Sequence, residues 1–212
     1  MSTAQQRVLD ALRSDILSGE LAPGEQLIQE VVAERHAVSR VPVREALQLL
    51  TAEGLVTHFP HRGYFVTELS VTDLQEVYRV RSLLEEEAIR TAVPTLRDED
   101  VAELERLAQA VSEASGLAAV TDANRRFHFA LFEAAGMPRL TRLLRQLWDT
   151  SDVYRTLYFQ QSGNRERVRE EHAAMIEALR RRDVPETIRL HDLHRDHSVA
   201  WVRSHLLRQR TA

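Results

Sequence analysis

The sequence contains no cysteine, which excludes disulfide bonds and thiolate metal sites. It also contains no lysine, so all 28 of its basic side chains are arginines. No apolar run approaches the roughly 18 residues that a membrane-spanning helix requires. The first ten residues, MSTAQQRVLD, lack the basic-then-apolar order of a secretory signal. Together these absences predict a cytoplasmic protein with no membrane partner.

An excess of positive charge is also missing, because the formal net charge is −4. The chain is therefore not a uniformly basic nucleic-acid binder, and any contact with nucleic acid must come from a local cluster. Apolar residues make up 43% of the 212 residues and charged residues 28%, the balance of a globular protein. That length accommodates one large domain or two modest ones.

Three helices are predicted near the N-terminus. Apolar side chains recur at helical spacing over residues 3–18 and 28–36, and Gly19 marks a stop. The third helix follows Ser39, a suitable N-cap, and is expected to end at Gly54. One face of this third helix carries an apolar stripe of Val43, Ala46, Leu47 and Leu50. The opposite face carries Val41, Arg44 and Gln48.

After the third helix, the period of the hydrophobic pattern changes to two residues, as in β-strands. The segments LVTHF and GYFVT predict a hairpin with His61 and Arg62 at its tip. Three helices followed by a hairpin are typical of a winged helix-turn-helix, in which the first turns of one helix enter the major groove of DNA. Arginines there can bind guanine or phosphate with two hydrogen bonds. The alternative is a three-helix packing module whose arginines are only solvated.

Residues 5–68 resemble the DNA-binding domain of the GntR family of bacterial repressors. The similarity lies in ILSGELAPGEQL, in VSRVPVREAL with the following GLV, and in the HRGYFVTEL of the hairpin. The family commonly has glycine where this chain has Ala37, and alanine costs roughly 1–2 kcal/mol if that position is left-handed. The resemblance implies DNA contacts by Arg35, Ser39, Arg40, Val41, Arg44, Arg62 and Gly63.

From Ser70 onward the pattern is helical throughout. Thr72 and Gln75 suggest a capping box at the start of a helix that Pro94 stops. Further helices are expected at about 97–114, 120–135, 138–160, 165–182 and 185–208, with Gly163 and Pro185 among the breaks. The sequence thus predicts a mainly α protein, with a winged helix-turn-helix over 1–69 and an antiparallel helical bundle over 70–212 that encloses a cavity.

Six of the nine histidines fall in the second half of the chain. Asn124 and His128 share one helix face, His172 lies on a later helix, and the last helix carries HDLHRDH. Imidazole nitrogens and an amide oxygen suit a divalent ion such as Zn²⁺ or Ni²⁺. The alternative is that these histidines are hydrogen-bonded core residues or surface residues.

Residues 73–203 resemble the FCD domain, the helical effector domain of the FadR subgroup of the same family. The similarity lies in VYRVRSLLEEEAIRTA, in NRRFHFALFEAAGMPRL, and in EHAAMIEALRRRD with the histidine eleven residues later. In the family, the first of the metal ligands is usually an aspartate, whereas this chain has Asn124 at that position. Asp122 is close in sequence, but it lies about 240° around the helix from His128 and so on a different face. His191 is the alternative ligand on the last helix. The resemblance implies a metal site formed by Asn124, His128, His172 and His194.

Arg81 lies in a largely apolar stretch and has two interpretations. It could form a surface i,i+4 salt bridge with Glu85, worth about 0.3–0.5 kcal/mol. It could instead point into the cavity and bind the carboxylate of an effector with two hydrogen bonds. The equivalent arginine of the family favours the second interpretation and a small organic acid as effector.

The combined prediction is a transcriptional regulator that binds a palindromic double-stranded DNA operator as a homodimer. We expect a repressor that a small organic acid, bound at the metal site, releases from DNA. Two alternatives remain open at this stage. The histidine cluster permits a metal-dependent hydrolase, although no HExxH motif is present. A helical interaction protein, with neither DNA nor metal binding, is the third possibility.

Overall fold

The computed structural model of the chain describes residues 3–18, 20–52, 55–68, 70–159 and 161–209. Its internal contacts divide the chain into two compact units, Met1–Leu69 and Ser70–Ala212. Gly19 and Gly54, the predicted helix stops, lie outside the described residues. Within the described ranges, no helix combines the length and the apolar character needed to cross a bilayer. The chain is mainly α, as predicted.

The first unit places one helix against two others. Its helices are α1 (Thr3–Ser18), α2 (Gln29–Arg35) and α3 (Arg40–Ala52). The apolar stripe predicted for α3 is confirmed, because Val43, Ala46, Leu47 and Leu50 are completely buried. This stripe holds α3 against α1 and α2. The face that carries Arg44 is left exposed.

A small antiparallel sheet completes the first unit. The predicted hairpin is confirmed as β2 (Val56–Phe59) and β3 (Gly63–Val66). A strand of two residues, β1 (Gln26–Leu27), pairs with the other edge of β3, so the strand order is β1-β3-β2. The sequence did not predict β1, because two residues are too few to show an alternating pattern.

The second unit is helical throughout its described residues. Its helices are α4 (Val71–Ala92), α5 (Asp98–Glu113), α6 (Leu117–Glu133), α7 (Pro138–Phe159), α8 (Ser162–Arg180) and α9 (Val184–Gln209), with a short 3₁₀ turn at Val93–Thr95. The predicted capping box of Thr72 and Gln75 is wrong. The N-cap of α4 is Ser70, whose hydroxyl accepts a hydrogen bond from the Asp73 amide at 2.9 Å.

Two predicted breaks in the second unit lie inside helices. Gly163 and Pro185 fall in the first turns of α8 and α9. A proline is tolerated in a first turn because its missing N–H would have no partner there. The core of the unit is built on large side chains of α6 and α7, among them Phe127, Phe132 and Trp148. Helix α4 packs against α6, α7 and α9, which brings polar residues of several helices to one interior.

Candidate functional site

The exposed face of α3 is the first candidate site. Ser39, Arg40 and Arg44 are exposed, and Val41 keeps 53% of its surface accessible. These positions occupy the start of the helix, where side chains can reach base edges in a DNA groove. The arginines therefore point away from the interior of their own unit, as a DNA-reading helix requires.

The arginines of this region differ in their partners. Arg40 forms an ion pair with Glu30 at 2.5 Å, and Arg35 forms one with Asp15 at 3.3 Å. Both pairs involve exposed arginine side chains, so each contributes little to stability. Among the described residues, no carboxylate pairs with Arg44. Its guanidinium can reach a ligand without breaking an existing contact.

The turn between α2 and α3 and the hairpin tip use left-handed backbone. Ala37, which stands where the family commonly has glycine, has φ +50°. This left-handed conformation is strained for a residue with a Cβ atom. Gly63 has φ +96°, which favours glycine beside Arg62 at the tip. The Arg62 guanidinium lies 5.5 Å from the ring centres of both Phe59 and Phe65. This stacking holds an exposed arginine at the end of the wing.

The second candidate site is a histidine cluster inside the helical unit. His128 on α6, His172 on α8 and His194 on α9 each offer a ring nitrogen, and these nitrogens lie within 4.8 Å of one another. All three side chains are buried. The Nδ1 atom of His194 contacts Glu171 at 2.6 Å, which leaves its Nε2 atom for a ligand. Within the described ranges, the Nε2 atom of His128 and both ring nitrogens of His172 have no hydrogen-bond partner.

Asn124 and His191 flank the three histidines. Asn124 is buried and its side-chain oxygen accepts no hydrogen bond from the residues that the structure describes, whereas Asp122 is exposed and cannot take its place. The Nε2 atom of His191 lies 3.3 Å from Nδ1 of His128, so His191 contacts a cluster member from its far side. Unpartnered buried polar atoms are costly, so the histidine nitrogens and the Asn124 oxygen beside the same cavity are candidate metal ligands. The donor set of three imidazoles and an amide oxygen fits a divalent metal ion.

Burial favours the neutral form of the imidazoles of His128, His172 and His191. It lowers the pKa of His128 and of His172 well below the usual value, and neighbouring histidines add to the effect. Burial also lowers the pKa of His191 to about 3, although Glu85 opposes the shift. Neutral imidazole is the form that binds a metal ion, so no proton has to leave these rings at neutral pH.

Arg81 lines the cavity beside the histidines and is 4% exposed. Its partner is Glu85, as the first interpretation held, but the pair is buried rather than at the surface. The Nε and Nη2 atoms of Arg81 donate to Oε1 of Glu85 at 3.0 and 2.8 Å, and Nη1 donates to Ser151 at 2.9 Å. All three nitrogens therefore already have partners within the fold.

Glu85 is the centre of this polar network. Besides Arg81, it accepts hydrogen bonds from Trp148 Nε1 at 2.7 Å and from Arg195 at 3.1 Å. Burial raises the pKa of Glu85, but the guanidinium groups of Arg81 and Arg195 outweigh that effect and contribute to lowering it to about 2. Glu85 is therefore a buried carboxylate that stays charged because cations surround it.

The cavity contains further polar residues that the sequence analysis did not identify. Arg155, Arg195 and Trp148 line it, together with Asn124, His128 and His194. The guanidinium of Arg155 lies 3.9 Å from the centre of the Trp148 ring. The free space among these side chains is about 20 Å³, which corresponds to about one water molecule. Any larger ligand must displace side chains as it enters.

Comparisons with known proteins match both units. The family model described as "Bacterial regulatory proteins, gntR family" matches residues 4–66, and the model described as "FCD domain" matches residues 76–197. The transcriptional regulator BphR of Paraburkholderia xenovorans is 32% identical over 207 residues, which cover 91% of this chain and 82% of BphR. The repressor GlaR of Escherichia coli is 27% identical and covers 88% of each chain.

A solved structure supports the same relationship. The chain superposes on Escherichia coli McbR/YncC with a TM-score of 0.79 and 26% identity, over 97% of this chain and 100% of the other. BphR and GlaR are both named as transcriptional regulators. These similarities do not favour the hydrolase that the histidine pattern had left open.

Proposed function

We propose a specific regulatory role for this chain, which belongs to the GntR family of bacterial regulatory proteins and has an FCD domain. Its relatives are DNA-binding transcriptional regulators and not enzymes, and the same holds for this chain. We propose a repressor, because the relative GlaR is named as one. The expected location is the cytoplasm, where the DNA of a bacterium lies.

The exposed face of α3 supports the first part of the proposal, which is that the helix reads an operator. Arg40, Val41 and Arg44 approach base edges, Arg35 and Ser39 contact the backbone nearby, and Arg62 with Gly63 forms the wing contact. The single observation that carries it is that Arg44 is exposed at the helix start and unpaired among the described residues. Two such helices about one DNA turn apart require a homodimer and a palindromic operator.

The buried donor set supports the second part, which is a regulatory metal site. We propose that Asn124, His128, His172 and His194 hold a divalent ion, with Zn²⁺ or Ni²⁺ as the first candidates. When bound, the ion would supply positive charge inside the cavity. We further propose that a small carboxylate binds there, near Arg81, and shifts the dimer between two arrangements with unequal affinity for the operator.

A binding measurement tests the DNA part of the proposal. Duplexes that the full-length protein selects from a random pool serve as operator, and Arg44→Ala is titrated against them in a gel-shift assay. The substitution is expected to weaken specific binding by about 1–3 kcal/mol. Gln48→Ala, on the same exposed face, is the matched control because it removes no charge. Equal affinities for wild type and Arg44→Ala would exclude Arg44 from the residues that recognise the operator.

Elemental analysis combined with native mass spectrometry tests the metal part. The purified full-length protein is expected to contain one divalent ion per subunit and to run as a dimer. His172→Ala is expected to lose the ion, because it removes a side chain whose two ring nitrogens have no hydrogen-bond partner in the described part of the chain. Replacement of the exposed His61 in the wing is the control and leaves the metal content unchanged. A wild-type protein that takes up no divalent ion after loading would contradict the metal site.

A further inference from the structure

Glu30 places an acidic side chain at the proposed DNA-binding surface. It lies in the first turn of α2, and its Oε1 atom is 2.5 Å from Nη2 of Arg40, the first residue of α3. Both side chains are exposed, with 56% of the Glu30 side chain and 65% of the Arg40 side chain accessible. DNA carries about one negative charge per 1.7 Å of its axis, so a carboxylate at this surface weakens binding to every sequence. Any benefit of Glu30 for DNA binding must therefore come through its partner.

The ion pair bridges a turn whose backbone is held by hydrogen bonds. The Ala37 amide donates to the Glu34 carbonyl at 3.1 Å. The Val38 amide donates to the Ala33 carbonyl at 3.0 Å. A carboxylate that binds the Arg40 guanidinium before DNA arrives reduces the side-chain entropy that DNA binding costs. Because a guanidinium has five N–H donors, one such contact leaves enough of them for two hydrogen bonds to a guanine.

The pairing makes Arg40 different from Arg44. Arg44 keeps its full positive charge, because no carboxylate pairs with it among the described residues. Arg40 and Glu30 together are neutral, so the pair attracts a phosphate only weakly, and hydrogen-bond geometry rather than charge determines what Arg40 binds. Each partner is followed in the sequence by an exposed valine, Val31 at 58% and Val41 at 53%. Apolar side chains of this kind contact thymine methyl groups, which favours base edges over phosphates as the target of this surface.

We propose that Glu30 is a positioning residue for operator specificity. Its carboxylate fixes the guanidinium of Arg40 so that Arg40 recognises one base pair, and it keeps Arg40 from binding a phosphate instead. This inference rests on the proposed role of Arg40 in recognising the operator. Glu30 itself contacts no base. Without the carboxylate, Arg40 is free to bind phosphate, and the protein discriminates less between the operator and other sequences.

Gel-shift titrations of the full-length protein test this inference with the selected operator and with duplexes in which each base pair is replaced in turn. Arg40→Ala identifies the base pair that Arg40 recognises, because discrimination is lost at that base pair. Glu30→Gln is expected to reduce discrimination at the same base pair about fivefold or more, which is the lower end of what one bidentate contact provides. Its affinity for unrelated duplexes should rise, because a charge that repels DNA is gone.

Glu34→Gln is the matched control for the loss of charge. Glu34 is also exposed on α2, one helical turn after Glu30, and no arginine pairs with it among the residues that the structure describes. Its amidation removes the same charge, so it can change the overall affinity for DNA. It is expected to leave discrimination at the Arg40 base pair unchanged. An equal loss of discrimination in Glu30→Gln and Glu34→Gln would overturn the inference.

A double-mutant cycle separates positioning from direct contact with a base. A glutamate can itself accept a hydrogen bond from cytosine, and Glu30→Gln would then alter discrimination whether or not Arg40 is present. If Glu30 acts through Arg40, Glu30→Gln has no further effect on discrimination in the Arg40→Ala background. An effect of the same size in both backgrounds would contradict the positioning role.

The Arg40→Ala titration distinguishes the two proposals. If Arg40→Ala keeps its discrimination at every base pair, the proposed role of Arg40 in recognising the operator is wrong, and the present inference is wrong with it. If Arg40→Ala loses discrimination at one base pair and Glu30→Gln keeps it there, only the present inference is wrong. The roles proposed for Arg40 and Arg44 in recognising the operator then stand.

Discussion

Ala37→Gly should stabilise the DNA-binding unit, although glycine usually destabilises a protein. Ala37 has φ +50°, and a left-handed residue with a Cβ costs roughly 1–2 kcal/mol. Glycine removes that cost, but it also raises the conformational entropy of the unfolded chain, which lowers the stability by about 0.4–1 kcal/mol. The exposed methyl group loses little packing, and the hydrogen bond from the Ala37 amide to Glu34 is retained. The expected net gain is about 0.5–1 kcal/mol.

Amide hydrogen exchange of α3 in the full-length protein measures this effect. Because α3 packs against α2 beyond the turn, exchange of its buried amides should slow by about two- to fivefold. Ala11→Gly in the middle of α1 is the matched control, and it should accelerate exchange because helical glycine costs about 1 kcal/mol. If both glycine variants accelerate exchange to the same extent, the left-handed strain at Ala37 is not the dominant effect.

Three further predictions concern the helical unit. Arg81→Ala should reduce the free energy of unfolding by about 3 kcal/mol in a urea titration, since it removes a cation from the buried Glu85; a neutral result would contradict that role. Glu171→Gln should weaken metal binding about tenfold or more in a chelator competition, because Glu171 orients His194. The control Glu170→Gln, at an exposed position, should leave metal binding unchanged. In the metal-free protein, the free energy of unfolding should fall as the pH drops from about 6.5 toward 3. His191 has its ordinary pKa in the unfolded chain but a pKa of about 3 in the folded protein, so protons bind the unfolded chain first. A free energy of unfolding that does not change over this pH range would refute the prediction.

Helix α3 and the hairpin could be predicted because their signals are local. The stripe from Val43 to Leu50 repeats at the helical period, and the two strands of the hairpin alternate around a turn. The start of α4 could not be placed correctly, since Ser70 and Thr72 are both good caps and the sequence does not distinguish them. The structure decides through the hydrogen bond that Ser70 accepts from Asp73.

The candidate metal site was only partly accessible from the sequence. Asn124 and His128 are one helical turn apart, which the sequence shows directly, but their proximity to His172 and His194 depends on how the helices pack. The role of Glu171 was missed for the same reason, since it contacts His194 from another helix. A glutamate directly before a candidate ligand histidine was the one available signal.

Most partners of the buried arginines lay beyond any sequence pattern. Arg155 stands in the segment YRTLYF, where nothing marks it as a cavity residue. Its burial results from the packing of α7 against α4, α8 and α9. Arg81 was identified, and its partner Glu85 was named, but the sequence could not tell that Trp148 and Arg195 also surround this carboxylate. Long-range contacts of this kind depend on the tertiary fold alone.

Two of the arginines that line the cavity, Arg81 and Arg155, differ in the contacts that a ligand must break to reach them. An acid that binds Arg81 must first separate it from Glu85, whose carboxylate would then remain buried with fewer partners. An acid that binds Nη1 of Arg155 breaks no hydrogen bond to any residue that the structure describes. Because the cavity has room for about one water, entry of an effector also moves the side chains between these arginines. The proposed effector would therefore couple its binding to the packing of α4, α7 and α9, which is the property that an effector domain needs in order to favour one arrangement over another.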